Sequence, residues 1–386
     1  MEVESDIIVY RWDVSAMSQD KVVAGNRIAG RRSLDRLVRT SADASPSDWI
    51  RLNTNESTIP PSPRVTDAIV NAARTANRYP DPLGEPLRTR LAEYHDIPAS
   101  NILISHGADG VLATCFRAFC EPGSQVVLLD PTYPFLYNLT ELSGAEIVRA
   151  SSPEFLFTAA RSVNVGMTVL VNPNNPSGAW LPPERLSAES PHASVFVIDE
   201  AYSAFAPCSA AEFLERHPNW IIVRTFSKAY GLAGLRLGYA IADEQLIGRM
   251  ALAQDPYPVS ACAVAAGIAA LDDAEYYSRY IAAVCTERAR LTHDLRELGW
   301  TVEDSLANFV FAKPPQGDLT TNIDLLARAH ILVRTFAHAQ DGLRISVGLR
   351  AENDALIRTL SDVVGSPETS IPGPINCPAE MNSNVT

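Results

Sequence analysis

The sequence predicts an α/β fold: a large domain on a mainly parallel seven-stranded sheet, followed by a smaller α+β domain. Three observations predict it. Seven short apolar runs, at residues 102–104, 126–129, 147–148, 168–171, 195–198, 221–223 and 237–240, are nearly continuous and are bounded by Gly, Pro, Asn or Asp. Strands covered by helices on both faces have this pattern, because neither face turns to water. Helical stretches such as 110–120 and 134–142 lie between the runs, and strand–helix alternation builds parallel sheets. The chain has 386 residues, enough for one large core and a second smaller one.

Taken in order, residues 1–48 read as a polar N-terminal arm. It ends in a Ser-Ala-Asp-Ala-Ser-Pro-Ser linker at 41–47, and Leu34, Leu37 and Val38 could share a short helical face. Residues 49–258 hold the seven runs and form the large domain, with functional loops expected at the carboxyl ends of its strands. Residues 259–365 form the smaller domain. They open with the Ala-rich stretch 259–271 and an amphipathic helix over 276–298. Strands at 309–311, 332–333 and 343–347 then mix with helices at 323–329 and 351–364. The tail, 366–386, carries four prolines among Ser, Thr and Asn and is expected to be disordered.

Composition narrows the function. A formal charge of −13 lacks the basic footprint that nucleic acid or an anionic membrane surface requires. The six cysteines are scattered without a CxxC pair or zinc spacing, as expected of reduced thiols in the cytoplasm. No stretch reaches the ~18 apolar residues of a membrane span, and residues 1–10 lack the basic start and apolar core of a signal peptide. A soluble, cytoplasmic protein is the expectation, and the charge balance is silent on small substrates.

The chemistry concentrates after the strands. Arg224-Thr225-Phe226-Ser227-Lys228 follows the sixth run and leads through a Gly-rich turn to Arg236. An amine beside two hydroxyls and a guanidinium suits an aldehyde cofactor that carries a phosphate. The lysine forms a Schiff base, and the other groups hold the dianion. Asp199-Glu200-Ala201-Tyr202 ends the fifth run. Alone it reads as a turn or helix cap. Asn172 to Gly178 is a turn by composition. His106-Gly107-Ala108-Asp109-Gly110 opens a helix, where backbone N–H groups can take an anion. Arg344 interrupts an apolar strand, a costly place for an unpaired cation. Arg334 reads either as a solvated strand-end arginine or as an anion contact.

Together these segments resemble the fold-type I pyridoxal-phosphate enzymes, and within them the histidinol-phosphate aminotransferase-like family, over residues 50–360. The resemblance implies pyridoxal 5'-phosphate on Lys228 as a Schiff base, with Thr225, Ser227 and Arg236 on its phosphate. Ala108, Asp109 and Gly110 would cap that phosphate. Asp199 would pair with the protonated ring nitrogen, Tyr202 and Asn175 would reach the ring oxygen, and Tyr133 would stack on the ring. Arg344, Arg334 and Asn55 would face the substrate. Tyr79 would cross a homodimer interface to the partner's phosphate, so that two subunits share each site. The reaction implied is ping-pong transfer of an amino group between a small-molecule amino donor and a keto acceptor, the donor being an amino acid or amino phosphate. Lys228, Asp199 and Tyr202 would be its catalytic residues.

The substrate-facing segments depart from the family. The arm has no tyrosine between 31 and 47, residues 256–258 read Pro-Tyr-Pro, and Ser57 and Thr58 interrupt the mouth segment. Such drift leaves open a different reaction on the same cofactor, namely a decarboxylase, lyase or cyclase, secondary metabolism being one setting for it. A non-catalytic regulator that binds the cofactor is the remaining alternative. It would need a basic DNA-binding domain, for which the 48-residue leader is too short and too weakly basic.

Overall fold

The computed structural model describes residues 49–192, 194–315, 319–336 and 339–364. The arm, its short helical face and the tail lie outside the described residues. In chain order the elements are β1 (Ile50–Arg51), α1 (Pro63–Ala73), α2 (Glu85–His95), β2 (Ile102–Ser105), α3 (Gly107–Phe119), β3 (Gln125–Leu129), α4 (Pro134–Ser143), β4 (Glu146–Ala150), α5 (Pro153–Ala159), β5 (Val165–Val171), α6 (Pro183–Glu189), β6 (Val195–Asp199), β7 (Trp220–Thr225) and β8 (Gly238–Ala242). Then follow α7 (Glu244–Ala253), α8 (Ala261–Leu271), α9 (Ala274–Glu297), β9 (Thr301–Val302), β10 (Phe309–Lys313), α10 (Leu319–Arg328), β11 (Ile331–Leu332), β12 (Arg334–Phe336), β13 (Ala339–Ser346) and α11 (Arg350–Val364).

The seven expected strands form one sheet in the order β2-β8-β7-β6-β5-β3-β4. All neighbours are parallel except β8, which runs against both β2 and β7. The continuous apolar runs follow from a two-faced burial. Phe196 and Ile198 of β6 join Trp220 and Ile222 of β7 in one core, while Val197, Ile221 and Val223 belong to the other. Side chains alternate across a strand, so a run with no polar positions feeds both cores at once.

That alternation has a direct chemical consequence. Asp199 continues the face of Val197, and Glu200 turns toward the opposite core, beside Ala210. Likewise Thr225 and Arg224 leave the end of β7 on opposite sides. The residues after β6 and β7 therefore supply two chemistries, one to each face.

The smaller α+β unit has a four-stranded antiparallel sheet, β12-β13-β10-β9, packed with α9 and α11 through Leu291, Leu295, Val310, Ile345, Leu356 and Leu360. Two details differ from the expected organisation. The single strand expected at 332–333 is divided. Its first part pairs parallel with β1 and its second part antiparallel with β13, with Val333 between. Secondly, the cores do not separate at residue 258. α8 packs its small residues Ala263, Ala266 and Ala270 into the core with Val65 and Leu87, on the large sheet. Leu52, from near the start of the described chain, joins the smaller core instead. Gly267 shows why α8 is so poor in large side chains: a Cβ there would lie 2.7 Å from Leu237 Cδ2.

Candidate active site

The carboxyl ends of β2, β3, β5, β6 and β7 share one edge of the sheet, as parallel order requires. The loops that leave them enclose a cavity of about 220 Å³. Asn55, Ala108, Asp109, Tyr133, Asn175, Asp199, Tyr202, Thr225, Ser227, Lys228, Arg236, Arg334 and Arg344 all line it. Residues separated by up to 289 positions in sequence are thus brought to one place by topology. Two expected site residues are elsewhere. Gly110 sits in the first turn of α3 beneath the cavity, where a Cβ would lie 2.7 Å from Ser105 Oγ. Tyr79 stands on the surface, 82% exposed, with its ring stacked on Tyr257 at 4.6 Å.

At one end of the cavity the groups suit a phosphate. Thr225 Oγ donates to Ser227 Oγ at 3.0 Å, and Ser227 N–H donates to Thr225 Oγ at 3.1 Å. Arg236 follows a short turn with a left-handed backbone, φ 51°, which aims its guanidinium back at the start of α3. There it meets Asp109 Oδ2 at 2.8 Å, and Tyr133 donates to the other oxygen, Oδ1, at 3.0 Å. Gly107, at φ +80°, is needed for this approach. A Cβ on it would come within 2.9 Å of Arg236 Nη2. Gly238 is needed as well, since its Cβ would lie 2.4 Å from Gly107 C and 2.6 Å from Ala108 N. The helix N-terminus, two hydroxyls and a guanidinium form a cradle for a dianion.

The middle of the cavity holds the amine. Lys228 Nζ donates to the Thr54 carbonyl at 3.0 Å. Burial, then the nearby Arg344 cation, bring its pKa down to about 8, against the pull of Asp109 and Glu56. About a tenth of the amine is then neutral at pH 7, far more than for an ordinary lysine, as a nucleophile or base needs. Thr54 contributes only its backbone, so no side chain in the sequence marked it.

Asp199 lies across from the amine, 3% exposed. Burial raises its pKa to about 7, opposed by a hydrogen bond from Ala201 N–H at 3.0 Å and reinforced by Asp109 and Glu200. Its carboxylate has no ion pair among the described residues. A dry carboxylate of this kind awaits a cation or a shared proton. Tyr202 accepts from Asn55 Nδ2 at 3.2 Å and from Asn175 Nδ2 at 3.5 Å, which fixes its hydroxyl at the cavity wall. Burial raises its pKa, so it stays a neutral phenol able to donate.

The outer wall carries two cations. Arg344 Nη1 donates to Asn175 Oδ1 at 2.8 Å and Nη2 to the Asn53 carbonyl at 2.6 Å, while its Nε is buried without a partner. No carboxylate pairs with it among the described residues. Burial, then the like charge of Arg334, lower its pKa to about 10. Phe336 lies between the two, its ring 5.2 Å from the Arg344 guanidinium and 5.9 Å from that of Arg334. Phe336 was not anticipated from the sequence. Residues 334 and 336 share a face only because 334–336 is a strand, whereas the expected strand ended at 333.

The residues present fit pyridoxal phosphate: an acid without a counter-ion, an amine opposite it, and an anion cradle at the side. Comparisons with known proteins agree. The model of the family "Aminotransferase class I and II" matches residues 47–360. Histidinol-phosphate aminotransferase 1 of a Nostoc species is 36% identical over 324 residues, covering 82% of this chain and 92% of that protein. Histidinol-phosphate aminotransferase 2 of Burkholderia lata is 36% identical over 329 residues, covering 82% and 92%. The crystal structure of histidinol-phosphate aminotransferase from Sinorhizobium meliloti, in complex with pyridoxal-5'-phosphate, superposes with a TM-score of 0.76 at 31% identity, covering 82% of this chain and 90% of that one.

Proposed function

This chain belongs to the class I and II aminotransferase family, and from that premise we propose which residues do its chemistry and what kind of donor it accepts. The protein is a pyridoxal-phosphate-dependent aminotransferase that works on small amino and keto compounds. The family match does not favour a decarboxylase, lyase or cyclase, nor a non-catalytic regulator. When bound, the cofactor supplies an electron sink for the pair released as the substrate α-C–H bond breaks.

The chain's own groups do the rest. Lys228 would anchor the cofactor and, once freed by the donor, would take the substrate α-proton and return it to the carbon on the far side of the transferred nitrogen. Asp199 holds a proton at the ring nitrogen. Burial leaves its carboxylate no water, so a protonated ring nitrogen is the cation that can compensate it, and that pairing would keep the proton on the nitrogen. Tyr202, held by Asn55 and Asn175, donates to the ring oxygen. Tyr133 faces the ring, and Thr225, Ser227, Arg236 and the α3 N-terminus (Ala108, Asp109 and Gly110) hold the phosphate. Arg344 and Arg334 orient an anionic group of the substrate.

The observation that carries the donor class is Arg344: a cation 6% exposed, bonded to two neutral oxygens and to no acid among the described residues. Such a cation favours an anionic ligand that can accept a bidentate pair. With Arg334 beside it, the site suits an amino acid or an amino phosphate, and histidinol phosphate is the first candidate on the evidence of the relatives. The reading also includes a homodimer in which Tyr79 of each subunit completes the other's phosphate site, supported by the exposure of that ring. It further includes residence in the cytoplasm, supported by the free thiols of Cys115, Cys120, Cys208, Cys262 and Cys285. No helix among the described residues is long and apolar enough to cross a membrane.

A donor screen tests the reading. Holoenzyme is mixed with single amino acids or amino phosphates without a keto acceptor. The expected result is a half-reaction that releases one keto product per Lys228 and then stops, with no turnover in Lys228→Ala. Release of carbon dioxide, or continued turnover without an acceptor, would overturn it.

A further inference from the structure

Behind the site, on the opposite face of the sheet, Glu200 and Arg224 form an ion pair of 2.8 Å. Only 2% of the Glu200 side chain is exposed. Ala210 N–H donates to Glu200 Oε1 at 2.7 Å, and Ser209 Oγ donates to Oε2 at 2.7 Å. Arg224 Nη2 donates to the same Ser209 oxygen at 2.6 Å. The backbones are joined too, by Glu200 N–H to the Val223 carbonyl at 2.9 Å. Fold stability alone is a poor reason to keep such a pair, since apolar replacements for buried ion pairs are often neutral or stabilising. Its position supplies another reason. Glu200 is covalently next to Asp199, and Arg224 begins the segment that runs through Thr225 and Ser227 to Lys228.

We propose that the Glu200–Arg224 pair is a positioning device for the known reaction, which staples the acid-bearing end of β6 to the amine-bearing end of β7 and balances the charge behind them. Neither residue lines the cavity, so both act through Asp199 and Lys228. The pair is electrically closed. Glu200 raises the proton affinity of Asp199, and Arg224 is the cation that offsets it. The other titratable groups facing the pair are His95, Tyr230, Tyr239 and Cys208. Burial, with Arg224 beside it, holds His95 neutral down to about 4. The two phenols are raised mainly by burial, and Cys208 by burial with Glu184, Glu212 and Glu200 around it. None of them can replace either charge near neutrality.

The inference rests on the roles of Lys228 and Asp199 given above. Its test reads a property of the resting holoenzyme rather than its rate. The pH midpoint of the cofactor's visible absorption band reports the proton held at the Lys228 nitrogen. Glu200→Gln keeps an acceptor for Ala210 N–H and leaves Arg224 as an unbalanced cation, so the midpoint should fall. Arg224→Gln leaves Glu200 unbalanced, and the midpoint should rise. By Coulomb's law at an effective dielectric near 20, a unit charge about 10 Å from a titrating group moves its midpoint by about one pH unit, which sets the scale of shift to look for. The double variant should return to the wild-type midpoint. If Arg224→Gln does not fold, Arg224→Lys takes its place and must leave the midpoint unchanged while Glu200→Gln still lowers it. Midpoints within about 0.2 unit of wild type, or shifts of the same sign in both single variants, would reduce the pair to an ordinary structural contact. A wild-type band that survives Lys228→Ala unchanged would instead defeat the assignment of Lys228, which keeps the two failures distinct.

Discussion

Asp199 shows what a buried carboxyl costs the fold that carries it. Its pKa rises from 3.8 to about 7 because the folded protein buries it. Without cofactor, the folded state therefore binds a proton that the unfolded state releases. Stability is full below about pH 4 and is lost as pH rises from about 4 to about 7, by up to roughly 4 kcal/mol. Asp199→Asn removes the ionisation and keeps the shape. The apoprotein variant should resist urea better than wild type at pH 8, by about 2 kcal/mol after water penetration and relaxation are allowed for. At pH 4 the two should be nearly equal. Turnover of the reconstituted variant should fall by at least about a hundredfold, as it loses the proton at the ring nitrogen. Equal apoprotein stability at pH 8 would show that folding does not raise the pKa of Asp199, its carboxylate being solvated or already paired. Alone, Asp199 reads as a turn or helix cap, and only the family resemblance gives it a role. Thr54 was not legible in the sequence, since its contribution to Lys228 is a carbonyl that every residue possesses.

At the scale of elements, the site depends on how closely the N-terminus of α3 approaches β8. Two glycines permit it, Gly107 through its positive φ and Gly238 through its missing side chain. A Cβ at Gly238 would lie 2.4 Å from backbone rather than from a movable side chain. Gly238→Ala must therefore push α3 off the sheet edge, at a cost of about 3 kcal/mol, the upper part of the range for overpacking. Chemical denaturation should show that loss, and spectral titration should show weaker cofactor retention, because the same shift moves the phosphate cradle. Gly123, whose Cβ would meet nothing, also has a positive φ, so Gly123→Ala should cost only its backbone strain and leave cofactor retention intact. The strands of the large sheet were legible because burial on both faces leaves Thr168 as the one polar side chain in β5, β6 and β7 before their carboxyl ends. The division of 331–336 into two strands was not legible. Its partners, β1 and β13, come from opposite ends of the chain, and no local pattern encodes which one a three-residue strand will choose.

For the whole molecule, the sequence resemblance placed Tyr79 in a partner's site, and in the single chain that ring is exposed against Tyr257 and away from the cavity. The separation between the two cores was less legible. α8 reads by composition as a new beginning, yet its alanines let it lie flat on α1 and join the large core. Homodimer chemistry makes a sharp demand on Tyr79. Tyr79→Ala should leave monomer packing within about 0.5 kcal/mol of wild type, as expected for an exposed side chain, while cofactor retention in the assembled enzyme drops. Complementation can then separate a shared site from a merely peripheral one. A Lys228→Ala subunit has its own site destroyed but keeps Tyr79. A Tyr79→Ala subunit keeps Lys228 but cannot complete its partner's site. Refolding the two together in equal amounts puts half of the molecules into mixed dimers, each with one intact site of two, so activity should return to about a quarter of wild type. Measured at limiting pyridoxal phosphate, where Tyr79→Ala homodimers are poorly loaded, recovery to that level requires Tyr79 to act across the interface. Activity equal to the sum of the two separate preparations would place each site wholly within one chain.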